Sequence, residues 1–443
     1  MEHSKNPAAI ITASSRRANL WHPFSQEQTA SEPIEIVRGE GIRVFDSEGN
    51  EYLDLISSWW VNLHGHAHPT IAAAIAKQAT ELEHIIFAGF THPPARNLAR
   101  RLCELLPARL ERVFFSECGS AAVEIGLKMA IQYWHNRGEQ RHRILAFQNG
   151  YHGDTFGAMA AGKASNFFAP FEEMMFSVTH VPYANTWIDD EGIESKEAAA
   201  LEQFTAALSE HAHEIAAVIV EPLVQGAGGM NTCRPEFISR IVELAHEADV
   251  LVMFDEVMTG FGRTGTMFAC QQTTVPDIIC LAKGLTGGFS PLAVTVASEK
   301  IYEAFLGDKF SMAFAHGHSY TANPLGCAAA LASLDVFENE NTMERIKAIE
   351  KVHQQQIGNI AAAVPIERPR VVGTIAAFEM PDDSPGYEAA IGGRLKKAFL
   401  DKGLIIRPLG NTVYLMPPYC ISDVELEAVY ESVAEVCRDC LAG

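Results

Sequence analysis

The sequence predicts an α/β protein in which a large domain with a mostly parallel sheet is joined by a smaller α+β domain formed by the two ends of the chain. The first observation is that, through the middle of the 443 residues, apolar runs of strand length alternate with helical stretches. This alternation is typical of a parallel sheet covered by helices on both faces. The second is that shorter, mixed elements flank this region. We therefore expect the small domain to take residues 1–75 and 336–443, and the large domain residues 76–335.

The middle region supplies two helices and five runs of strand length. Apolar residues recur at helical spacing from Val123 to Trp134 and predict a helix over 120–136. A second helical stretch covers 237–248. The strands expected in the large sheet are Ile144–Phe147, Ala216–Val220, Val250–Phe254, Ile278–Leu281 and Leu292–Ala297.

The two ends of the chain supply the shorter elements. Near the N-terminus, Ile34–Val37 and Ile42–Phe45 are divided by Gly39 and Gly41 and predict two short strands. The elements expected near the C-terminus are a strand over Val371–Phe378, a helix over 388–402, and strands over Leu404–Arg407 and Val413–Leu415.

Composition excludes several classes of protein. The formal net charge of −21 makes the chain repel nucleic acid phosphates and anionic lipid surfaces, so the expected partners are small molecules. No apolar run approaches the roughly 18 residues that a membrane span needs. Residues 1–18 lack the features of a secretory signal, although Arg16 and Arg17 leave an organelle transit peptide as an alternative. The nine scattered cysteines favour reduced thiols in a cytoplasmic protein over a disulfide framework.

Two charged residues end runs that read as buried strands. Asp255 follows Leu251–Phe254, and Lys283 follows Ile278–Ala282. Because ligands bind outside the carboxyl ends of strands in an open α/β sheet, we expect both side chains to face one crevice. Either residue alone is more often a solvated strand end. Their pairing, followed in each case by a glycine-rich turn, favours a functional site.

This pair has the chemistry that pyridoxal 5′-phosphate (PLP) requires. A lysine amine bonds to the cofactor aldehyde as a Schiff base and then moves a substrate proton. A carboxylate beside the pyridine nitrogen keeps it protonated, so that the ring withdraws electrons. Gly119 and Ser120, at the start of helix 120–136, would offer donors to the phosphate, and Tyr151 would stack on the ring. Taken singly, a serine there is more often a helix cap and a tyrosine beside glycine more often packs in a turn.

Two other patterns point to different functions. Gly260–Gly265 matches the dinucleotide pattern G-x-G-x-x-G and leaves an NAD-binding or non-enzymatic protein as an alternative. However, five residues separate it from the strand end, and no helix is expected at its third glycine. The alternating imidazoles of His64–His68 would suit a metal on a strand, but Gly65 and Pro69 predict a turn. No metal is expected there or at His316–His318.

Together, these segments resemble the class III aminotransferases of PLP fold type I. The resemblance rests on Leu251–Gly265 and Pro276–Gly288 with their spacing, and it runs from about residue 20 to near the C-terminus. It implies PLP as cofactor and a homodimer with sites at the subunit interface. The chain is most similar to members that transfer the amino group of S-adenosylmethionine to 8-amino-7-oxononanoate in biotin biosynthesis. The segments that carry this closer similarity are Leu20–Phe24, Ser57–Trp60, Met129–Trp134, Asn149–Ala158, Val224–Gly229 and Tyr414–Pro418.

The resemblance also implies roles for single residues. Lys283 would hold the cofactor, and Asp255 would contact the pyridine nitrogen. The further cofactor contacts would be Gly119, Ser120 and Tyr151, with His318 and Ser319 reaching the phosphate in the neighbouring subunit. The substrate contacts would be Phe24, Trp59, Tyr151, Lys283, Gly317 and Arg407, of which the arginine would bind the oxononanoate carboxylate.

Two positions depart from the commoner pattern of these members. Phe24 stands where many have a tyrosine that helps to recognise substrate, and His318-Ser319 stand where many have Pro-Thr, which keeps the hydroxyl. Some relatives with similar residues at these places use lysine as amino donor. Lysine as donor, or the substrates of another class III ω-aminotransferase, are therefore the alternatives. Trp59 and Trp60 favour S-adenosylmethionine.

Overall fold

The computed structural model of the chain describes residues 19–162, 166–384, 386 and 389–442. The transit-peptide alternative for residues 1–18 lies outside the described residues. The strands are β1 (Ile36–Glu40), β2 (Arg43–Asp46), β3 (Glu51–Asp54), β4 (Leu110–Ser116), β5 (Arg143–Phe147), β6 (Val178–Val181), β7 (Ile215–Val220), β8 (Val224–Gln225), β9 (Asn231–Thr232), β10 (Leu251–Asp255), β11 (Ile278–Leu281), β12 (Ala293–Ser298), β13 (Glu367–Val372), β14 (Ile375–Glu379), β15 (Leu404–Ile405) and β16 (Thr412–Leu415).

The helices cover the sheets and close the connections between strands. They are α1 (Ser57–Trp60), α2 (Pro69–Glu81), α3 (Pro93–Leu105), α4 (Gly119–Asn136), α5 (Phe156–Ala161), α6 (Ile193–His211), α7 (Pro235–Glu247), α8 (Glu299–Glu303), α9 (Pro324–Asn339), α10 (Thr342–Ala363), α11 (Ala390–Asp401) and α12 (Asp423–Ala442). None of these described helices is long and apolar enough to cross a membrane.

A seven-stranded sheet in the order β4-β12-β11-β10-β7-β5-β6 forms the centre of the molecule. The strands from β11 to β6 are parallel, and β12 is antiparallel to both of its neighbours. Strands β7, β10 and β11 are buried at every residue, as expected for a sheet with helices on both faces. The predicted α/β fold with a mostly parallel sheet is confirmed, and its five predicted strands are β5, β7, β10, β11 and β12.

A four-stranded sheet joins the two ends of the chain in the order β1-β2-β3-β15. Strand β15 is parallel to β3, with Ile405 opposite Asp54. This pairing places Arg407, which follows β15, near the turn that follows β3. The domain bounds expected from the sequence stay a prediction.

The predicted single strand over Val371–Phe378 is wrong. The chain there forms a hairpin of β13 and β14 that turns at Gly373 and Thr374. Gly373 has a φ of 54°, and a Cβ there would overlap the backbone of residues 263–265, so the turn requires glycine. Because the turn is itself buried, the apolar run continues through it and hydrophobicity does not mark the break.

Candidate active site

Asp255 and Lys283 lie at the ends of neighbouring parallel strands. Asp255 is the last residue of β10 and is opposite Cys280 of β11. Lys283 follows β11 after Ala282 and opens a 3₁₀ turn, Lys283–Thr286, with a φ of 45°. A positive φ at a residue with a long side chain is uncommon and often marks a functional position. Both side chains line one cavity of about 700 Å³.

Burial controls the charge of Lys283. Loss of solvent lowers the pKa of its amine to about 8, although Asp255 and Glu221 oppose the shift. Its Nζ lies 4.5 Å from the centre of the Trp60 ring. A neutral amine is the form that attacks a carbonyl and accepts a proton. At pH 7 about a tenth of Lys283 is therefore neutral, against about one part in three thousand at the ordinary pKa of 10.5.

The Asp255 carboxylate is held from two sides. His152 Nδ1 lies 2.7 Å from Oδ2, and the backbone N–H of Val257 donates to Oδ1 over 3.0 Å. Both carboxylate and imidazole are buried, so their orientation is fixed. Sequence reasoning missed His152, although it stands next to Tyr151 in a segment that was already a candidate.

Glu221 is a second buried carboxyl group of the cavity that sequence reasoning missed. It follows β7 as Asp255 ends β10, so the rule of strand carboxyl ends would have found it. Its carboxyl group accepts hydrogen bonds of 2.9 Å from the backbone N–H groups of Tyr151 and Gly226. Burial raises the pKa of Glu221 to about 7, with Asp255 adding to the shift and His152 opposing it.

The N-terminus of α4 borders the same cavity. Gly119 and Ser120 form its first turn, whose backbone N–H groups have no partner within the helix and favour an anion. A Cβ at Gly119 would lie 2.6 Å from Val257 Cγ1, so the close approach of this turn to the end of β10 requires glycine. Ser120 Oγ accepts a 3.0 Å hydrogen bond from the backbone N–H of Thr155. This turn therefore suits an anion in the cavity that Lys283 also lines.

A second cavity of about 460 Å³ adjoins the first. Residues that line both cavities include Trp60, Tyr151, Asp154 and Lys283. The Tyr151 hydroxyl donates to Asp154 Oδ1 over 3.1 Å, and burial raises the pKa of this phenol. Lys283 therefore borders both cavities.

The outer wall of the second cavity contains Phe24, Trp59 and Arg407. The Arg407 guanidinium carbon lies 4.9 Å from the Trp59 ring centre, and the Phe24 ring lies edge-on to Trp59 at 5.7 Å. Within the described part of the chain, Arg407 forms no ion pair with a carboxylate. A stacked guanidinium without an acidic partner suits an anionic ligand.

Three candidate residues, Gly317, His318 and Ser319, line neither of these cavities of their own chain. Gly317 and Ser319 are exposed, and no described atom lies within 4 Å of a Cβ placed on Gly317. The His318 imidazole contacts the Glu117 carboxylate at 2.6 Å. Their role in a neighbouring subunit stays a prediction.

The G-x-G-x-x-G segment has a structural explanation. No helix begins at its third glycine, Gly265, which has a φ of 93°. Arg263, inside the segment, is buried and donates hydrogen bonds of 3.1 Å to the carbonyl groups of Pro417 and Asn62. The segment thus links the large sheet to both ends of the chain, without the strand–turn–helix context that dinucleotide binding needs.

The alternating histidines do not converge on one point. Each imidazole has its own partner, Ser333 for His64, Asp54 for His66 and Glu340 for His68. Over the described ranges, no group of three His, Cys, Asp or Glu is arranged to hold a metal ion.

Comparison with known proteins decides the family. The sequence model of the family "Aminotransferase class-III" matches residues 24–437. The chain belongs to this family. The predicted family, and with it the aminotransferase activity, is confirmed.

Relatives of this class III aminotransferase share nearly its whole length. The adenosylmethionine-8-amino-7-oxononanoate aminotransferase of Synechococcus elongatus is 52% identical over 94% of this chain and 98% of that protein. The crystal structure of the enzyme with the same name from Methanocaldococcus jannaschii covers 96% of this chain and 98% of its own, with 36% identity and a TM-score of 0.89. The crystal structure of a PLP-bound amine transaminase from an uncultivated Pseudomonas species covers 96% of this chain and 98% of its own, with 31% identity and a TM-score of 0.87. The predicted fold type I is confirmed.

Proposed function

We propose that this aminotransferase transfers the amino group of S-adenosylmethionine to 8-amino-7-oxononanoate and yields 7,8-diaminononanoate, a step of biotin biosynthesis. The observation that carries the proposal is the second cavity, which joins Lys283 to Arg407 through an aromatic wall. The acceptor has a ketone at one end of an apolar chain and a carboxylate at the other, which suits this order of groups. The 52% identity to an enzyme of this name supports the same substrates.

The first cavity fits PLP. The first turn of α4 suits the phosphate, Asp255 suits a protonated pyridine nitrogen, and Lys283 suits the aldehyde. A Cβ at Gly119 would overlap the Val257 side chain and one at Gly153 would overlap Ser120, so both glycines allow the segments around this cradle to pack closely. When bound, PLP supplies an electron-withdrawing ring that stabilises negative charge on the substrate carbon.

The chain's own residues position the substrates and move protons. Lys283 Nζ, with its pKa lowered to about 8, accepts the proton from the donor Cα and returns one to the acceptor carbon in the second half of the cycle. Positioned acid–base catalysis of this kind contributes about 10²–10⁴-fold. His152 holds Asp255, and Arg407 binds the acceptor carboxylate through two parallel hydrogen bonds.

We further propose that the active unit is a homodimer with sites at the subunit interface. His318 and Ser319 line neither cavity of their own chain, which supports a role in the partner. Large apolar side chains are strongly exposed, including Trp21 at 92% and Phe310 at 83%, and a subunit interface would cover such surface. The nine cysteines are free thiols, which supports a location in the reducing cytoplasm.

A donor screen tests the reaction. The purified holoenzyme receives oxononanoate as acceptor with either S-adenosylmethionine or lysine as donor. We expect diaminononanoate with S-adenosylmethionine and none above background with lysine. Product with lysine alone would identify lysine as the donor. No product with either donor would reject oxononanoate as the acceptor and favour the substrates of another ω-aminotransferase.

Substitution of Lys283 tests the site. Lys283→Ala is expected to lower turnover by about 10⁴-fold or more. It should also abolish the permanent covalent attachment of the cofactor that borohydride reduction of the Schiff base gives. Lys300→Ala is the matched control, since that lysine is exposed and lies 5.8 Å from the Tyr133 ring, and it should leave both properties unchanged. Near wild-type turnover in Lys283→Ala would overturn the assignment.

A further inference from the structure

The short segment α1, Ser57–Trp60, is not helical at Ser58 and Trp59 and has a strained backbone, and it is here called the tryptophan turn. Ser57, Ser58 and Trp60 have φ values of 51°, 62° and 68°. None of them is glycine, so such angles persist only where surrounding contacts hold them. The turn carries Trp59, which stacks with Arg407, and Trp60, which lies against Lys283. The contacts that hold the turn therefore control the wall between substrate and lysine.

Asp54, at the end of β3, holds the tryptophan turn through hydrogen bonds to its backbone and to Ser58. Its Oδ1 accepts hydrogen bonds from the backbone N–H groups of Ser58 at 2.8 Å and Ile56 at 3.3 Å. Its Oδ2 accepts from Ser58 Oγ at 2.9 Å. The carboxylate is 1% exposed, so few water molecules compete with these donors.

A chain of hydrogen bonds fixes Asp54 in turn. The backbone N–H of Gly65 donates to Asn62 Oδ1 over 2.8 Å, which directs Asn62 Nδ2 toward His66 Nδ1 at 3.2 Å. His66 Nδ1 must then accept, so its Nε2 carries the hydrogen and donates to Asp54 Oδ2 over 2.9 Å. One imidazole tautomer satisfies every bond of this chain.

We propose that Asp54 and His66 are positioning residues for substrate binding, which hold the tryptophan turn so that Trp59 stays stacked on Arg407. Strand pairing supports the same conclusion, because Ile405 lies opposite Asp54 and Arg407 follows two residues later. The carboxylate and the guanidinium are thus anchored on one pair of strands. The part of the inference that concerns the substrate carboxylate rests on the proposed function, and the placement of Trp59 does not.

Asp54→Asn tests the proposal by kinetics. Asparagine keeps the size but presents one oxygen in place of two, so Ser58 or His66 loses its acceptor. We expect KM for oxononanoate to rise about tenfold while kcat changes by less than about twofold. The visible absorption of the bound cofactor should stay unchanged, since Asp54 does not line its cavity and Trp60 is held separately by the hydrogen bond that its Nε1 donates to the Tyr414 hydroxyl.

A measurement without substrate separates this inference from the proposed function. Acrylamide quenching reports the exposure of Trp59 when each variant is compared with the same variant carrying Trp59→Phe. We expect the Trp59 contribution to be quenched more strongly in Asp54→Asn than in the wild-type chain. This result would stand even if oxononanoate were not a substrate.

Asp46→Asn is the matched control. Asp46 lies on the same sheet, is buried, and accepts hydrogen bonds from the hairpin residues Glu48, Asn50 and Tyr52 instead. Asp46→Asn should leave KM for oxononanoate and the quenching of Trp59 unchanged. Equal effects of the two substitutions, or no effect of Asp54→Asn on either quantity, would overturn the proposal.

His66→Phe decides the matter if Asp54→Asn does not fold. It removes the donor to Asp54 and leaves the carboxylate in place. We expect a rise in KM of about threefold with unchanged kcat, together with stronger quenching of Trp59. Wild-type KM and quenching in this variant would contradict the positioning role.

Discussion

Lys283 and Glu221 show what burial does to charged groups in one cavity. The pKa of the amine is lowered to about 8 and that of the carboxyl group is raised to about 7. Both shifts have the same main cause, because a buried ionised group loses its solvation. The carboxylates of Asp255 and Glu221 partly offset that loss for the lysine, and His152 does so for Glu221. Two groups that ordinarily titrate far from neutrality therefore titrate near it, where proton transfer is efficient.

The rate of cofactor attachment should follow the titration of Lys283. The neutral amine is the nucleophile, and its fraction increases as the pH rises through the pKa. We therefore expect the rate at which PLP attaches to the apoenzyme to rise with pH and to level off above a midpoint near 8. Stopped-flow absorbance over a pH series measures this rate.

Asp255→Asn gives the control for this titration. The Asp255 carboxylate raises the pKa of Lys283 against the effect of burial, so its removal should move the midpoint to lower pH. A midpoint near the ordinary 10.5 of a lysine in the wild-type protein would contradict the assignment.

At the scale of elements, the site exists because parallel strands end at one edge of the sheet. Strands β7, β10 and β11 are neighbours, and Glu221, Asp255 and Lys283 lie at or just beyond their carboxyl ends. The N-terminus of α4 adds backbone donors at the same edge. Since each group is fixed by a regular element, small shifts of one element should affect cofactor binding.

Gly119→Ala tests the contact between α4 and the end of β10. The added Cβ would lie 2.6 Å from Val257 Cγ1, so the first turn of α4 must move. We expect PLP affinity to fall about tenfold or more, as measured by equilibrium titration of the apoenzyme. Val257→Ala in the same chain should restore part of the affinity, because it removes the γ-methyl groups that the new Cβ meets.

Gly358→Ala is the control for this substitution. Gly358 lies within α10, and no described atom is within 4 Å of a Cβ placed there. It should leave PLP affinity unchanged and raise the free energy of unfolding by about 0.5–1 kcal/mol. Equal PLP affinity in the Gly119 and Gly358 variants would show that the α4 contact has no part in binding.

At the scale of the whole molecule, the substrate wall is built from both ends of the chain. Trp59 follows β3, and Arg407 follows β15, which pairs with β3 in one sheet. Lys283 and Asp255 come from the central sheet. The proposed homodimer would add His318 and Ser319 from a second chain.

Mixed dimers test whether sites are shared between subunits. Lys283→Ala and Ser319→Asp chains, co-expressed with different tags and purified as the mixed dimer, carry both defects in one site if Ser319 serves the partner. The other site is then intact, and we expect about half of wild-type activity. Each homodimer should be nearly inactive, because aspartate repels the phosphate.

If Ser319 serves its own chain, both sites of the mixed dimer are defective and no activity returns. Ser209→Asp, at an exposed position on α6, should be fully active alone and controls for the added charge.

The sequence by itself determined five of the seven strands of the central sheet, all but β4 and β6, and the pairing of Asp255 with Lys283. Buried parallel strands read as continuous apolar runs, and a charge that ends such a run is visible locally. The sequence also predicted α4 to within one residue of its start, because its apolar residues recur regularly at helical spacing. Glu221 obeys the same rule, because it directly follows the buried strand β7.

Only the tertiary structure decided the rest. Hydrophobicity does not mark the buried turn at Gly373, because the contact that requires glycine comes from residues more than a hundred positions away. The contact of Arg407 with Trp59 likewise joins two distant segments with no shared local pattern. Such positions are set by packing between distant segments, and a local sequence pattern carries no record of which segments meet.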